Sequence, residues 1–180
     1  SASPRYMFAE GDKGYVTSWG LNAILVLDLN TMESVDTIDV NGMPEHIINY
    51  QDYLYVSVPS KSDWTTNDQV LKINKSDYSI DSTFTVEPGP KMMALDDSLL
   101  YITSSSYDSD WNGYAGITRI NLFNEQVLRH NAGQTSSYGT DIFKYQNESY
   151  HLFDGGIVPL NNDLTSDTTR KIGDFSSLRS

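Results

Sequence analysis

The sequence contains no cysteine and few basic residues, and each absence excludes a class of protein. Without cysteine there are no disulfide bonds and no thiolate metal ligands. Twelve Lys and Arg residues stand against twenty-four Asp and Glu residues, so the formal net charge is −12. Because a nucleic-acid backbone is bound through a basic patch, we expect no nucleic-acid partner.

Long apolar runs and helical periodicity are missing as well. No apolar run approaches the roughly 18 residues that suggest a membrane-spanning helix. Apolar residues do not recur at helical spacing over a useful length. Residues 1–6 show no basic-plus-apolar signal region, although a leader that had been removed would leave no trace. With 38% apolar and 12% aromatic residues, the chain has enough material for a folded core that is poor in helix.

A group of short strands repeats four times along the chain. Each copy has a Pro or Gly followed eleven residues later by a Tyr, at Pro4–Tyr15, Pro44–Tyr55, Pro90–Tyr101 and Gly139–Tyr150. The copies start at residues 4, 44, 90 and 139, which are 40, 46 and 49 residues apart. Repeats of this length that contain several short strands are typical of β-propeller blades.

A second landmark supports the same division. The third strand of each copy ends in an aliphatic residue and an Asn, at Leu29-Asn30, Ile73-Asn74, Ile120-Asn121 and Leu160-Asn161. An Asn at this place can bond to its own backbone and begin a turn. The sequence therefore predicts one all-β domain of four four-stranded antiparallel blades, at residues 4–41, 42–87, 88–133 and 134–180, the last with its fourth strand within 168–176.

The strand motifs resemble the YVTN-type β-propeller repeat family. The resemblance rests on the stretches 15–18 (YVTS), 55–57 (YVS), 101–104 (YITS) and 26–40. Propellers of this family usually have seven blades, so we expect four blades to form an arc of a larger ring. Unpaired strand edges at the ends of such an arc would favour self-association.

The resemblance also implies a cellular setting and a ligand. The chain is similar to the cobalamin-capturing surface lipoproteins of gut Bacteroides. This similarity implies an exported protein at the cell surface or in the periplasm, with a lipid anchor. It also implies a corrinoid ligand and a protein partner such as an outer-membrane transporter.

The candidate ligand-binding residues fall on one predicted face. In a propeller, the loops between second and third strands share a face with those that join successive blades. The tryptophans in or beside these loops are Trp19, Trp64 and Trp111. The same face receives Tyr107, Tyr138, Asp110 and Asn112, and the predicted channel mouth receives Arg5, Glu45, Lys91 and Thr140. Tyr and Trp offer wide, rigid contact areas. The alternative is that the tryptophans cap the core and the polar residues form a solvated rim.

One loop also suggests a metal. Residues 108–113 read D-S-D-W-N-G, which matches the first half of a calcium-binding loop through Asp108, Asp110 and Asn112. The bidentate Glu expected at the twelfth position is replaced by Arg119. Asp-Asn-Gly loops are also common turn chemistry. Calcium is the one cofactor that the sequence suggests.

These patterns favour a non-enzymatic, exported ligand-binding propeller. A protein–protein interaction scaffold and an oligosaccharide-binding surface protein would use the same residue types and stay open. A lactonase-like enzyme is less favoured, because the candidate acid–base cluster is limited to Glu45, His46 and Asp141.

Overall fold

The computed structural model describes residues 2–174, which contain fifteen β-strands and one 3₁₀ turn. The 3₁₀ turn is Thr168–Arg170. No helix in the described part of the chain is long and apolar enough to cross a membrane. The strands are β1 (Pro4–Glu10), β2 (Lys13–Ser18), β3 (Ala23–Asp28), β4 (Glu33–Asp39), β5 (Ile47–Tyr50), β6 (Tyr53–Ser60), β7 (Thr66–Asn74), β8 (Ile80–Thr85), β9 (Pro90–Asp96), β10 (Leu99–Tyr107), β11 (Gly113–Asn121), β12 (Val127–Gln134), β13 (Tyr138–Tyr145), β14 (Glu148–Phe153) and β15 (Gly156–Pro159).

The strands form four antiparallel sheets that lie in two compact units. Unit 1 (residues 1–85) holds sheet 1 (β1–β4) and sheet 2 (β5–β8). Unit 2 (residues 86–180) holds sheet 3 (β9–β12) and sheet 4 (β13–β15). Within every sheet the strands pair in chain order, so each sheet is a meander. This confirms the predicted all-β architecture and its division into four repeats.

The repeated tyrosines occupy equivalent positions. Each lies on the second strand of its sheet and pairs with the first strand, as Tyr15↔Phe8, Tyr55↔Ile48, Tyr101↔Ala94 and Tyr150↔Phe143. The first three tyrosines are buried. The spacing from Pro or Gly to Tyr is therefore a structural repeat.

The aliphatic-Asn pair predicted to end the third strand of each blade is misplaced in sheet 1. Asn74 and Asn121 pair with the residues two positions before Tyr55 and Tyr101, and the equivalent residue in sheet 1 is Asp28. The Asp28 carboxylate accepts the backbone N–H groups of Asn30 and Thr31, just as Asn74 accepts that of Ser76. The aliphatic-Asn pair at Leu29-Asn30 is two residues out of register, because Asp and Asn start this turn equally well.

Sheet 4 has three strands within residues 2–174 instead of the predicted four. Most of the segment predicted as its last strand, 168–176, is described. It begins with the 3₁₀ turn, and among the described residues its β-type pairing with β15 is limited to the bridge between Ile157 and Ile172. Residues 175–176 lie outside the described residues. Asp167 ends the strand pattern because its side chain caps the 3₁₀ turn through the Thr169 N–H.

Buried apolar side chains, most of them from the middle strands, form the cores. In unit 1 the core includes Ile24, Val26, Leu54, Val56 and Ile73, all fully buried. In unit 2, Tyr101, Ile117, Ile142 and Leu164 pack together. Burying one such side chain contributes about 1.5–3 kcal/mol, so these clusters are the main stabilising element of each unit.

A buried threonine links neighbouring sheets inside each unit. Thr17 follows Tyr15 by two residues, and its Oγ1 accepts the Tyr6 N–H and donates to the Glu45 carbonyl at 2.8 Å. In unit 2, Thr103 stands at the same position after Tyr101 and donates to the Thr140 carbonyl at 2.6 Å. These bonds fix the chain at the start of the first strand of the following sheet, just before β5 in unit 1 and within β13 in unit 2.

Candidate functional site

The loops that carry Trp64 and Trp111 have the same geometry. Both are five-residue hairpin loops, 61–65 and 108–112, with Trp in fourth place. In each loop the backbone N–H of the Trp donates to the backbone carbonyl of the first loop residue, at 3.0 Å for Trp64 and 3.1 Å for Trp111. Each Trp adopts a left-handed backbone conformation, with φ of 68° and 62°.

A third loop of this geometry provides an internal comparison. Leu164 is the fourth residue of loop 161–165, its φ is 69°, and its N–H bonds to the Asn161 carbonyl. Leu164 is fully buried, whereas Trp64 is 69% exposed and Trp111 is 81% exposed. The turn itself therefore does not decide whether its fourth side chain is buried. The expectation that a tryptophan at this place caps the core is wrong for Trp64 and Trp111.

In unit 1, the predicted site residues Arg5, Trp19, Glu45 and Trp64 form one contact group, here called the Arg5 group. The Arg5 guanidinium lies 4.2 Å from the centroid of the Trp19 ring. It donates to both Glu45 carboxylate oxygens, at 2.9 and 3.0 Å, and this pairing raises the pKa of Arg5. The edge of Trp64 meets Trp19 with ring centroids 5.8 Å apart.

Trp19 differs from the other two tryptophans. It directly follows β2, at the beginning of its loop, and its ring is half-buried. Among the described residues, its Nε1 is buried with no hydrogen-bond partner. Trp19 therefore serves as the platform on which Arg5 and Trp64 rest.

In unit 2, an open cleft of about 480 Å³ lies beside the Trp111 loop. Its aromatic residues are Tyr107, Trp111, Tyr114 and Tyr138. The Tyr107 and Trp111 rings are inclined at 52° with centroids 6.2 Å apart. Hydroxyl and amide side chains make up most of the remaining lining, including Ser105, Ser106, Asn112, Gln134, Thr135 and Thr140. The predicted site residues Tyr107, Trp111, Asn112 and Tyr138 are thus brought together here, with Thr140 from the predicted channel mouth.

Two other predicted site residues lie outside the lining of this cleft. Asp110 is an exposed residue of the Trp111 loop. Lys91 is half-buried on β9. Trp19, Arg5, Glu45 and Trp64 belong to unit 1. That all three tryptophans share one face is a statement about both units and stays a prediction.

Asp108 organises the loop that carries Trp111. Its Oδ1 accepts the N–H groups of Asp110 and Asn112, and its Oδ2 accepts the Asn112 side-chain amide, each at 2.9 Å. The Tyr114 hydroxyl also donates to Oδ2 at 3.3 Å. The hydrogen bonds from Asn112 are the main cause of the lowered Asp108 pKa. Both carboxylate oxygens of Asp108, one of the three residues that the calcium hypothesis assigns to a metal, are therefore used in the turn. Residues 2–174 contain no group of three His, Cys, Asp or Glu side chains that could hold a metal.

Sequence reasoning missed one buried polar cluster in unit 2. His151 is fully buried, its Nε2 lies 2.9 Å from Ser166 Oγ, and Ser166 Oγ is 3.4 Å from the Tyr138 hydroxyl. Burial lowers the pKa of His151 to about 4. The signal in the sequence is the replacement of the usual β-branched residue after the repeated Tyr by His151.

The three residues of the candidate acid–base cluster, Glu45, His46 and Asp141, each make a contact that stabilises the local structure. Glu45 is bound by Arg5, and the buried His46 packs against Tyr6 with ring centroids 4.0 Å apart. The Asp141 carboxylate accepts the N–H of Ile142. These contacts are structural ones.

Comparisons with family models and with curated proteins found no match. Solved structures do match. The WD40 domain of Neurospora crassa Pan2 has a TM-score of 0.65 and 10% identity, over 88% of this chain and 48% of that one. BamB from Moraxella catarrhalis has a TM-score of 0.62 and 13% identity, over 90% of this chain and 47% of that one. The computationally designed Ika4 protein has a TM-score of 0.57 and 10% identity, over 93% of this chain and 90% of that one.

These similarities show the fold alone. The chain has the β-propeller fold, with its four sheets as blades. It spans about half the length of the Pan2 domain and BamB chains that it matches. The YVTN-type resemblance and the expectation of a larger ring stay predictions.

Proposed function

We propose that this chain is a non-enzymatic ligand-binding propeller whose site is the cleft of unit 2. The observation that carries the proposal is Trp111, which is 81% exposed at the rim of the cleft, whereas Leu164, at the same place of a turn of the same geometry in unit 2, is fully buried. A left-handed backbone is unfavourable for a bulky residue, and an exposed indole gains little from folding. A ligand that covers the ring would supply the missing stabilisation.

The size and lining of the cleft support this proposal. Small-molecule sites commonly have volumes of roughly 300–1,000 Å³, and this cleft falls within that range. Aromatic rings at the rim and hydroxyl or amide groups along the wall suit a ligand with both apolar faces and polar edges. A corrinoid such as cobalamin, which the sequence resemblance suggests, has both.

The same resemblance supplies the cellular setting. In this proposal the protein is exported and acts at the cell surface or in the periplasm, held by a lipid anchor. An outer-membrane transporter would then receive the captured ligand. Calcium would have to displace the hydrogen bonds that Asp108 makes within its loop, so the proposed site works without a metal.

A hydrolytic role is less well supported. The hydroxyl–imidazole pair of Ser166 and His151 has the hydrogen-bonded arrangement of a nucleophile and its base. However, a pKa of about 4 makes His151 a weak base at neutral pH. The pair is better explained as a bond that holds the segment after β15 against β14.

Titration of the whole chain with cyanocobalamin tests the proposal. Saturable binding that Trp111→Ala weakens and Phe123→Ala leaves unchanged would support the cleft as the site. Phe123 is an equally exposed aromatic residue, 88% exposed in the β11–β12 turn, and lies outside the lining of the cleft. Failure of cyanocobalamin together with failure of the glycan probes described below would overturn the proposal.

An interaction scaffold is the second candidate, and the Arg5 group favours it. Trp and Arg are enriched among residues that dominate protein–protein binding energy, and here they are exposed beside each other. Sedimentation of wild type and Trp64→Ala over a range of concentrations tests for self-association. If Trp64→Ala abolishes self-association, the Arg5 group is the interface. If self-association persists in Trp64→Ala, the unpaired strand edges are the interface. A monomer at all concentrations contradicts both forms of self-association.

A further inference from the structure

We infer that the unit 2 cleft binds an electrically neutral oligosaccharide. This inference rests on the proposed function and names the ligand class of the same site. It follows from the charge of the lining, from the arrangement of its rings, and from the hydrogen-bonding groups that the protein itself leaves unused.

The lining carries no formal charge. Among the described residues, no Asp, Glu, Lys, Arg or His side chain lines the cleft. One residue in five of the chain is charged, so a neutral lining is unusual for this surface. A ligand that bears a phosphate, sulfate or carboxylate would lose hydration there without gaining a cationic partner.

A negative charge bonded to the lining makes an anionic ligand less favourable still. Asp108 lies directly behind the rim, where it accepts bonds from Asn112 and Tyr114, two residues of the lining. Its lowered pKa keeps it ionised at neutral pH. The net charge of −12 acts in the same direction. An acidic glycan or a phosphate-bearing ligand would therefore be repelled.

The rings offer flat apolar faces that are open to solvent. Tyr107 is 63% exposed and Trp111 is 81% exposed, so their faces are accessible from outside the cleft. The C–H faces of a pyranose ring are apolar, whereas its edges carry hydroxyl groups. Stacking on an aromatic side chain buries the apolar face of the sugar and leaves its hydroxyl groups free to form hydrogen bonds.

The walls provide unused hydrogen-bonding groups for those hydroxyls. In the described structure, the side chains of Ser105, Ser106 and Gln134 make no hydrogen bond to the protein. A hydroxyl both donates and accepts, and an amide offers both functions at one end. This combination suits sugar hydroxyls, which also donate and accept.

Two other ligand classes fit these features less well. A quaternary ammonium ion needs an enclosing aromatic cage and has no use for hydroxyl and amide walls, whereas the rings here are exposed at an open rim. Cobalamin carries a phosphate, for which the lining has no cation. Choline, which is a quaternary ammonium ion, and cyanocobalamin therefore serve as probes for these two alternative ligand classes.

Calorimetric titration of the whole chain with defined probes tests the inference. The neutral probes are maltohexaose, cellohexaose, xylohexaose and mannohexaose. Hexagalacturonate is the carboxylated counterpart, and cyanocobalamin and choline are the competing classes. Wild type is compared with Trp111→Ala, Gln134→Ala and the exposed control Phe123→Ala, all checked for folding by circular dichroism.

We expect at least one neutral hexasaccharide to bind, with affinity reduced about tenfold or more by Trp111→Ala and by less than about twofold by Phe123→Ala. Hexagalacturonate should bind at least about tenfold more weakly than the best neutral probe.

The failures can be told apart. Cyanocobalamin or choline binding that requires Trp111, without binding of any neutral hexasaccharide, overturns the ligand class and leaves the cleft as the site. Equal binding of hexagalacturonate also overturns the class. Binding that Trp111→Ala does not change overturns the cleft as the site. No binding of any probe overturns both the inference and the proposed function.

Discussion

His151 Nε2 and Ser166 Oγ lie 2.9 Å apart, so a fully buried imidazole is joined to the segment that follows β15. Tyr138 and Phe153 pack against the ring, with centroids 5.1 and 5.8 Å away. Burial is the main cause of the lowered pKa of His151, and electrostatic interaction with His130 lowers it further. The fold therefore holds His151 in its neutral form.

This burial predicts a loss of stability in mild acid. The pKa of His151 is about 4 in the folded chain and 6.5 in the unfolded one. Between these values the unfolded state binds more protons, so stability is complete above pH 6.5 and is lost as the pH falls towards 4. The loss should reach about 3 kcal/mol. Urea unfolding of wild type and His151→Gln from pH 7.5 to 4.5 measures it, since the variant should show a flatter dependence. Parallel curves would contradict the assignment.

Truncation of Trp111 should leave the free energy of unfolding nearly unchanged, whereas truncation of Leu164 should lower it strongly. Trp111→Ala removes an exposed ring, so the free energy of unfolding should change by no more than about 0.5 kcal/mol. Leu164→Ala leaves a cavity in the core of unit 2 and should cost about 2–5 kcal/mol. Chemical denaturation of both variants checks this difference. A large loss in Trp111→Ala would mean that this ring has a structural role and would weaken the proposed site.

Trp64→Ala should give an intermediate result. Its ring packs edge-on against Trp19, and an aromatic pair contributes roughly 0.5–1.5 kcal/mol beyond area burial. The free energy of unfolding should fall within that range. A matched measurement on Trp19→Phe, which retains an aromatic ring beneath Arg5, shows whether the pair with Trp64 is the source. A loss above about 3 kcal/mol would indicate a core residue instead.

Thr103→Val should destabilise unit 2 because it removes the hydroxyl that donates to Thr140 while preserving side-chain shape. The expected cost is about 1–2 kcal/mol for a buried hydrogen bond. Thr85→Val, at the exposed end of β8, is the control and should be nearly neutral. Equal unfolding midpoints for the two variants would show that the link between sheets 3 and 4 contributes little.

Asp108 should matter for the shape of the cleft and not for calcium. Asp108→Ala removes the acceptor that orders loop 108–112, so probe binding in the cleft should weaken. Asp108→Asn keeps one acceptor oxygen and should retain more affinity. The melting midpoint of wild type should be the same in calcium and in chelator. A higher midpoint in calcium that Asp108→Asn abolishes would establish the metal site.

The sequence was sufficient to predict the strands because its repeats are local. The eleven-residue spacing to each Tyr locates a hairpin whose register the structure reproduces at Tyr15, Tyr55, Tyr101 and Tyr150. The register error at Asn30 arose because Asp28 performs the same turn chemistry without matching the motif. Among the described residues sheet 4 has three strands, and the difference from the prediction has a similar origin, since a capping Asp167 has no apolar signature.

The candidate site was predicted only in part. Loop position alone identified Trp64, Trp111, Tyr107 and Tyr138 as exposed or half-exposed aromatic residues. It gave no information on partners, because the pairing of Arg5 with Glu45 and the burial of His151 depend on contacts between distant residues. Tyr114 and Gln134 line the cleft together because the paired ends of β11 and β12 place them opposite each other.

The meander topology has a consequence for how the chain folds. Every strand of a sheet pairs with the strand next to it in sequence, so each sheet can form from a single short stretch of chain. Contacts between residues close in sequence need little loop closure and generally form quickly. Strand pairing within a blade can therefore begin as soon as its own stretch of chain has left the ribosome, whereas its apolar faces are buried only when the neighbouring sheet of the unit packs against it.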